Sequence, residues 1–227
     1  MQVVPFATAE AISTELKRGP VHLLHISSHG SPGTLVLEDD DGTPLRMTAD
    51  EFVDQAVPAG RMPPLITLSA CNTDAAASDD ELSFARRLCH LGAAAVIATE
   101  TPVTDIYATR LLARFYGALS RTHDPDVITA LADARRTVQA ELETSSDRRD
   151  QQLATLGEWA AVTILAASGS LAVVGREVSS IPHTGPTRSR IAGLARRDDW
   201  YFVGRRAEQR RWPADLTGIG LAGIVIG

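Results

Sequence analysis

Short apolar runs separated by amphipathic stretches mark the first three quarters of the chain. The runs at residues 21–27, 64–70 and 93–99 each end at small or turn-forming residues. Continuous apolar runs of this length are typical of parallel strands that are buried on both faces of a sheet. The pattern therefore predicts an α/β fold with a mostly parallel central sheet.

Helices are predicted between these strands from capping residues and from apolar residues three or four positions apart. Four of the predicted helices cover residues 8–18, 49–56, 104–119 and 124–142. A fifth begins at Ser78, and its apolar face contains Leu82, Ala85, Leu88 and Cys89. Residues 34–47 predict a hairpin that turns at Asp41-Gly42. Residues 145–152 read as a solvated connection, and 159–167 as the last apolar strand.

Composition changes after residue 175, where Ser, Pro, Thr, Gly and Arg become frequent. We expect a first domain over residues 1–175, a linker over 176–199, and the beginning of a second domain over 200–227. A short strand at residues 2–5 opens the sheet so abruptly that we also expect further residues upstream.

The overall composition narrows the classes of function. With 227 residues, 44% of them hydrophobic, the chain can bury one full core and part of another. A net charge of −6 argues against nucleic acid as a partner, and neither a membrane-spanning run nor a signal peptide is present. The sequence predicts a cytoplasmic protein with no membrane partner.

Two cysteines and a histidine supply the candidate chemistry. Cys71 and Cys89 are too few for a disulfide scaffold, and without a CxxC pair no metal site is expected. Cys71 ends one predicted strand and His29 follows another. Tips of adjacent parallel strands lie about 5 Å apart, so an imidazole there would be able to activate the thiol. The backbone N–H of Gly30 would be a donor for an oxyanion.

Other interpretations of these residues stay open. A cysteine at a strand end is often a buried structural thiol, and a histidine before a glycine is often a capped loop residue. Cys71 is also a candidate for a redox-sensing thiol.

Two motifs carry a family resemblance. His25-Ile26-Ser27-Ser28-His29-Gly30 and Leu68-Ser69-Ala70-Cys71-Asn72-Thr73 resemble the motif pair of CHAT domains, which are caspase-like cysteine peptidases. The resemblance extends over residues 2–175, although the family's first strand and helix are not found within it. It implies a caspase-like three-layer sandwich that hydrolyses peptide bonds through a thioester and needs no cofactor. It also implies that His29 is the catalytic imidazole, Cys71 the nucleophile, and the backbone N–H groups of Gly30 and Cys71 the oxyanion donors.

Acidic residues after these motifs suggest a substrate preference. Asp74 and Asp105 are the favoured candidates for an acidic pocket that accepts a basic P1 side chain. Asp79 and Asp80 are more simply explained as residues at a helix start, where the helix dipole favours negative charge.

A second resemblance lies near the end of the chain. Residues 200–208 resemble the opening segment of STAND-type nucleotide-binding domains, and residues 221–227 resemble the strand before a phosphate-binding loop. No Gly-Lys-Ser/Thr follows within the sequence, so ATP and Mg²⁺ are expected only for a domain further downstream. A disordered, arginine-rich tail is the alternative.

Taken together, the sequence predicts a cysteine endopeptidase effector that cuts a protein substrate. The resemblances imply control by its own downstream STAND sensor, through which the protein would oligomerise, in a prokaryotic defence or signalling protein. The alternative is a catalytically silent caspase-like module that binds other proteins.

Overall fold

The computed structural model describes residues 2–4, 7–76, 82–121, 126–166 and 223–226. These described residues form nine strands, β1 (Gln2–Val4), β2 (Leu23–Ser27), β3 (His29–Ser31), β4 (Thr34–Glu38), β5 (Pro44–Met47), β6 (Leu65–Ser69), β7 (Ala95–Thr99), β8 (Val162–Ala166) and β9 (Gly223–Ile226). They also form six α-helices, α1 (Ala9–Arg18), α2 (Ala49–Ala56), α3 (Phe84–His90), α4 (Asp105–Arg121), α5 (Val127–Thr144) and α6 (Arg148–Ala154).

A central sheet of six described strands runs in the order β1-β9-β2-β6-β7-β8. All neighbours are parallel except β7 and β8, which are antiparallel. Successive residues of a strand face opposite sides of a sheet, and here each side carries its own apolar core. The first core joins the sheet to α4 and α5, and the second joins it to α1, α2 and α3. This arrangement confirms the predicted caspase-like three-layer sandwich.

The strand farthest along the chain lies inside this sheet. β9 pairs in parallel with β1 on one side and with β2 on the other, with Gly223 opposite Leu23. The sequence predicted a strand over residues 221–227, as the strand before a phosphate-binding loop in a second domain; the assignment of residues 200–227 to a second domain stays a prediction. The predicted linker and residues 200–208 lie outside the described residues.

Helix capping follows the sequence closely in the first half of the chain. Thr8 caps α1, and Thr48 with Glu51 forms the predicted capping box of α2. The helix predicted from Ser78 starts later, at Phe84, because the Ser83 hydroxyl caps it. Leu82 therefore precedes α3 and is exposed rather than on its apolar face. Ser78 itself is outside the described residues.

The segment between the last helices and β8 differs from its prediction in two places. The stretch 145–152, expected to be a solvated connection, contains most of α6, which buries Leu153 against the first core. The strand expected from Trp159 begins at Val162, after a 3-10 turn over Glu158–Ala160. α5 begins at Val127, capped by Asp126, and buries the apolar stripe that the sequence predicted.

A small antiparallel sheet projects from the end of β2. β3, β4 and β5 form it, in the order of the chain. The predicted hairpin corresponds to β4 and β5, and β3 adds a third strand that contains His29. None of the described helices is long and apolar enough to cross a membrane.

Candidate active site

The predicted nucleophile and base both lie at the carboxyl edge of the central sheet. β2 and β6 are parallel neighbours, and their register ends with Ser27 opposite Ser69. The backbone N–H of Ser28 donates to the Ser69 carbonyl over 3.3 Å, which extends this ladder by one bond. His29 and Cys71 each follow their register residue by two positions, so the structure brings the two segments together as the sequence predicted.

The contact between these segments is closest at Gly30. A Cβ atom placed on Gly30 would lie 2.4 Å from the Cys71 carbonyl oxygen and 2.9 Å from Cγ2 of Thr73. Only a glycine allows β3 to cross the Cys71 loop at this distance. The Cys71 carbonyl lies on the side of Gly30 from which a side chain would project.

A backbone hydrogen bond joins the same two segments further along the chain. The Gly33 N–H donates to the carbonyl of Ala75 over 3.3 Å, so β3 and its turn follow the loop from one end to the other. His29 is exposed at this crossing and Cys71 is partly buried. Because the His29 side chain is exposed and the Cys71 side chain is only partly buried, both groups are open to solvent.

The loop that follows β6 comprises residues 71–75, and we call it the nucleophile loop. It turns at Asn72, whose φ of 58° lies in the left-handed region, and the Ala75 N–H closes the turn on the Asn72 carbonyl over 3.2 Å. Asparagine tolerates this conformation better than most residues with a side chain. The chain therefore turns directly after Cys71, two residues beyond the end of β6.

Threonine hydroxyls hold the backbone just before the nucleophile. The Ala70 carbonyl accepts hydrogen bonds from Oγ1 of Thr99, over 2.8 Å, and from Oγ1 of Thr73, over 3.1 Å. Both threonines are buried. Sequence reasoning missed these roles, although a threonine at the end of an apolar run, such as Thr99 at the end of β7, is a signal that was available.

Asp74 is buried in the nucleophile loop and bound from several sides. Its carboxylate accepts hydrogen bonds from Ser83 Oγ over 2.9 Å and from Thr163 Oγ1 over 2.8 Å. The Arg86 guanidinium lies 3.6 Å away, and the Asp74 N–H donates to the Thr99 carbonyl over 2.9 Å. The structure thus gives Asp74 a role in holding the loop. Its predicted role in a substrate pocket stays a prediction.

Asp105 occupies a different position at the same edge. It is the first residue of α4, which follows β7, the strand beside β6, and it is exposed. The preceding Thr104 is fixed by the buried Glu158, whose carboxylate accepts hydrogen bonds from the Thr104 N–H and from its hydroxyl. The pocket role of Asp105 also stays a prediction. Asp79 and Asp80 are outside the described residues.

His25 and Cys89 are packed into the two cores. His25 is buried in β2, where its Nδ1 is 2.8 Å from the Tyr116 hydroxyl, and burial lowers the pKa of His25 to about 3. Cys89 packs against the second core, as predicted. Burial and then the nearby Asp74 carboxylate raise the pKa of its thiol to about 11. Neither group is suited to catalysis at neutral pH.

Comparison with known families gives one match and one negative result. The family model described as the CHAT domain matches residues 2–170. No curated protein matches the chain. Within the part of the chain that the structure describes, no three His, Cys, Asp or Glu side chains come together as a set of metal ligands.

Proposed function

This chain belongs to the CHAT domain family, which is caspase-like and protease-related, and on that premise we propose that it is a cysteine endopeptidase with Cys71 as nucleophile and His29 as base. One observation carries the proposal. Gly30 packs so closely on the Cys71 carbonyl that the residue before it, His29, is held at the nucleophile loop. Intact cysteine and histidine at this crossing favour an enzyme over a silent module.

The proposed reaction proceeds in two steps. His29 takes the proton of the Cys71 thiol, and the thiolate attacks the carbonyl carbon of the scissile peptide bond. The bond to nitrogen breaks as His29 returns the proton to the leaving amine, and a thioester remains on Cys71. Water, deprotonated by His29, then attacks the thioester and releases the acid and the free thiol. Caspase-like CHAT domains need no cofactor for their chemistry.

Gly30 is also well placed to stabilise the oxyanion. The two-residue turn between β3 and β4 pairs Ser31 with Thr34, and Gly30 pairs with Leu35. Hydrogen-bonded and non-hydrogen-bonded pairs alternate in an antiparallel ladder, and the pair next to a two-residue turn is hydrogen-bonded. This alternation directs the Gly30 N–H away from β4, which supports its assignment as an oxyanion donor together with the Cys71 N–H.

The proposed substrate is a protein with a basic residue at P1. Asp105 supports this preference, since it is exposed at the carboxyl edge of β7, next to the strand that carries Cys71. A carboxylate at that edge would attract a lysine or arginine side chain of the substrate.

We further propose that a STAND sensor downstream controls the peptidase in a cytoplasmic defence or signalling protein, and that oligomerisation of the sensor activates it. The support is the sequence alone, in the resemblance of residues 200–208 to the opening segment of such domains. ATP and Mg²⁺ would serve the sensor and not the peptidase.

Cleavage of a peptide library and of a whole proteome by the full-length protein, in its activated state, tests the proposal. We expect wild type and Cys89→Ala to cut the same sites, and Cys71→Ala and His29→Ala to cut none. Equal cleavage by Cys71→Ala, or no cleavage by activated wild type, would refute the peptidase assignment. In the second case the silent interaction module becomes the better explanation. If His29→Ala leaves the reactivity of Cys71 unchanged, the redox-sensing thiol is favoured.

A further inference from the structure

Residues 158–163 comprise the 3-10 turn and the start of β8, and they contact two loops, one of which contains the proposed nucleophile. We propose that this segment is a clasp that holds the two loops in the arrangement needed for catalysis, with Thr163 and Glu158 as positioning residues. The inference rests on the proposed peptidase function for its catalytic part. The two loops are the nucleophile loop and residues 100–104, which we call the β7 loop.

The first arm of the clasp reaches the nucleophile loop. Thr163 Oγ1 donates to the buried Asp74 carboxylate over 2.8 Å, and Asp74 lies three residues after Cys71. A hydrogen bond to a buried carboxylate is strong, and loss of this one leaves Asp74 Oδ2 without the Thr163 donor, while Ser83 and Arg86 still bind Oδ1. The Thr163 hydroxyl therefore restricts where Asp74, and the loop with it, can lie.

The second arm reaches the β7 loop. The Glu158 carboxylate, also buried, accepts from both the N–H and the hydroxyl of Thr104. Between the two arms, the Glu100 N–H donates to the Ala161 carbonyl over 2.9 Å. The clasp thus binds the β7 loop at both of its ends, next to the proposed pocket residue Asp105.

Thr163 and Glu158 would affect the reactivity of Cys71 without contacting it. Neither Thr163 nor Glu158 is a candidate to contact the substrate, and each acts through a second residue, Asp74 or Thr104. Displacement of a reacting group by about 1 Å can cost about 100-fold in rate. A clasp with this role is expected to affect the reactivity of Cys71 more than the stability of the fold.

The decisive variants are Thr163→Val, which keeps the branched shape and removes the hydroxyl, and Thr163→Ser, which keeps the hydroxyl. Thr129→Val is the matched control, because the Thr129 hydroxyl also donates to an aspartate, Asp126, over 2.7 Å. That bond lies at the start of α5. The 17 residues of α4 run about 25 Å away from the carboxyl edge of the sheet before α5 begins.

Two readouts are taken on the full-length protein, together with Tm. The first is the rate of iodoacetamide alkylation of Cys71, followed by peptide mass spectrometry so that Cys89 is counted separately. The second is kcat and KM for a cleaved peptide. In Thr163→Val we expect both the alkylation rate and kcat to fall about tenfold or more with KM nearly unchanged. Thr163→Ser restores both, and Thr129→Val leaves both unchanged.

A folded Thr163→Val that keeps the wild-type alkylation rate would overturn the proposal. So would equal losses in Thr163→Val and Thr129→Val, since these would show a general effect of stability. If Thr163→Val does not fold, Glu158→Gln carries the test through the other arm, with the same expected fall and the same refuting result. If wild type cleaves no peptide, the proposed function fails, while the alkylation rates still decide whether the clasp positions Cys71.

Discussion

Replacing Gly30 with alanine adds one methyl group at the point where β3 crosses the nucleophile loop. The new Cβ would lie 2.4 Å from the Cys71 carbonyl oxygen and 3.2 Å from Cβ of Ala70. Ordinary contacts of this kind are 3.4–4 Å, so the backbone of β3 or of the loop has to move by about 1 Å. The nearest atom belongs to the backbone, so it cannot move aside as the end of a flexible side chain would.

The expected loss of stability follows from this geometry. Overpacking of a closely packed site costs about 1–3 kcal/mol, and the contact with a backbone atom places Gly30→Ala near 3 kcal/mol. For a protein of this size, that corresponds to a fall in Tm of about 6–12 °C. Thermal unfolding and urea titration, each followed by circular dichroism, measure the change.

Gly60→Ala is the control for the substitution itself. Gly60 has a φ of 72°, and no described atom lies within 4 Å of the position that the new methyl group would take, so alanine there meets backbone strain and no contact. We expect a cost of about 1 kcal/mol for Gly60→Ala. A Gly30→Ala variant that is as stable as wild type, or more stable than Gly60→Ala, would refute the close crossing and with it the structural support for the dyad.

Three further outcomes are expected. Because the pKa of His25 is about 3 in the folded protein and 6.5 in the unfolded chain, the unfolded state binds the extra proton between these pH values. Stability therefore falls on acidification from pH 6.5, by about 1.4 kcal/mol per pH unit, and urea titrations of His25→Gln should lack this part of the slope. At pH 8, iodoacetamide should label Cys71 well before Cys89, whose thiol has a pKa of about 11; equal labelling by mass spectrometry would contradict this. Thr48→Ala should cost about 1 kcal/mol in urea titration through loss of the capping box of α2, and no measurable loss would contradict the cap.

Local patterns determined the parts of the fold that sequence predicts well. The stripe of Tyr107, Leu111, Phe115 and Leu119 predicted the buried face of α4, and all four side chains are buried. α6 was missed because six of its seven residues are polar, charged or alanine and only Leu153 is buried, so that no apolar periodicity was present. Apolar periodicity arises from the side chains that a helix buries. A helix that buries only one side chain therefore shows almost no apolar periodicity.

In the candidate site, too, the features that depend on neighbouring residues in the sequence were predicted, and those that depend on residues far apart in the sequence were not. The edge position of His29 and Cys71 followed from two strand ends, each visible in a few consecutive residues. The bonds from Ser83 and Thr163 to Asp74 join segments that are far apart in sequence, and no motif connects them. The packing of α3 and β8 around the loop brings these hydroxyls to Asp74, and no local pattern in the sequence indicates it.

The position of β9 has a consequence for how the chain folds. Among the described strands, β1 has no neighbour in the central sheet other than β9, and β9 pairs Gly223 with Leu23, about 200 residues apart. Of the described strands, β1 is made earliest, and it pairs in this sheet only with a strand that is made much later. Contacts between residues this far apart in sequence form slowly, because the entropy of loop closure is lost before the strand pairing contributes any stability. During synthesis, β2 can find β6 early, while the edge that holds β1 waits for the chain beyond residue 222 to leave the ribosome.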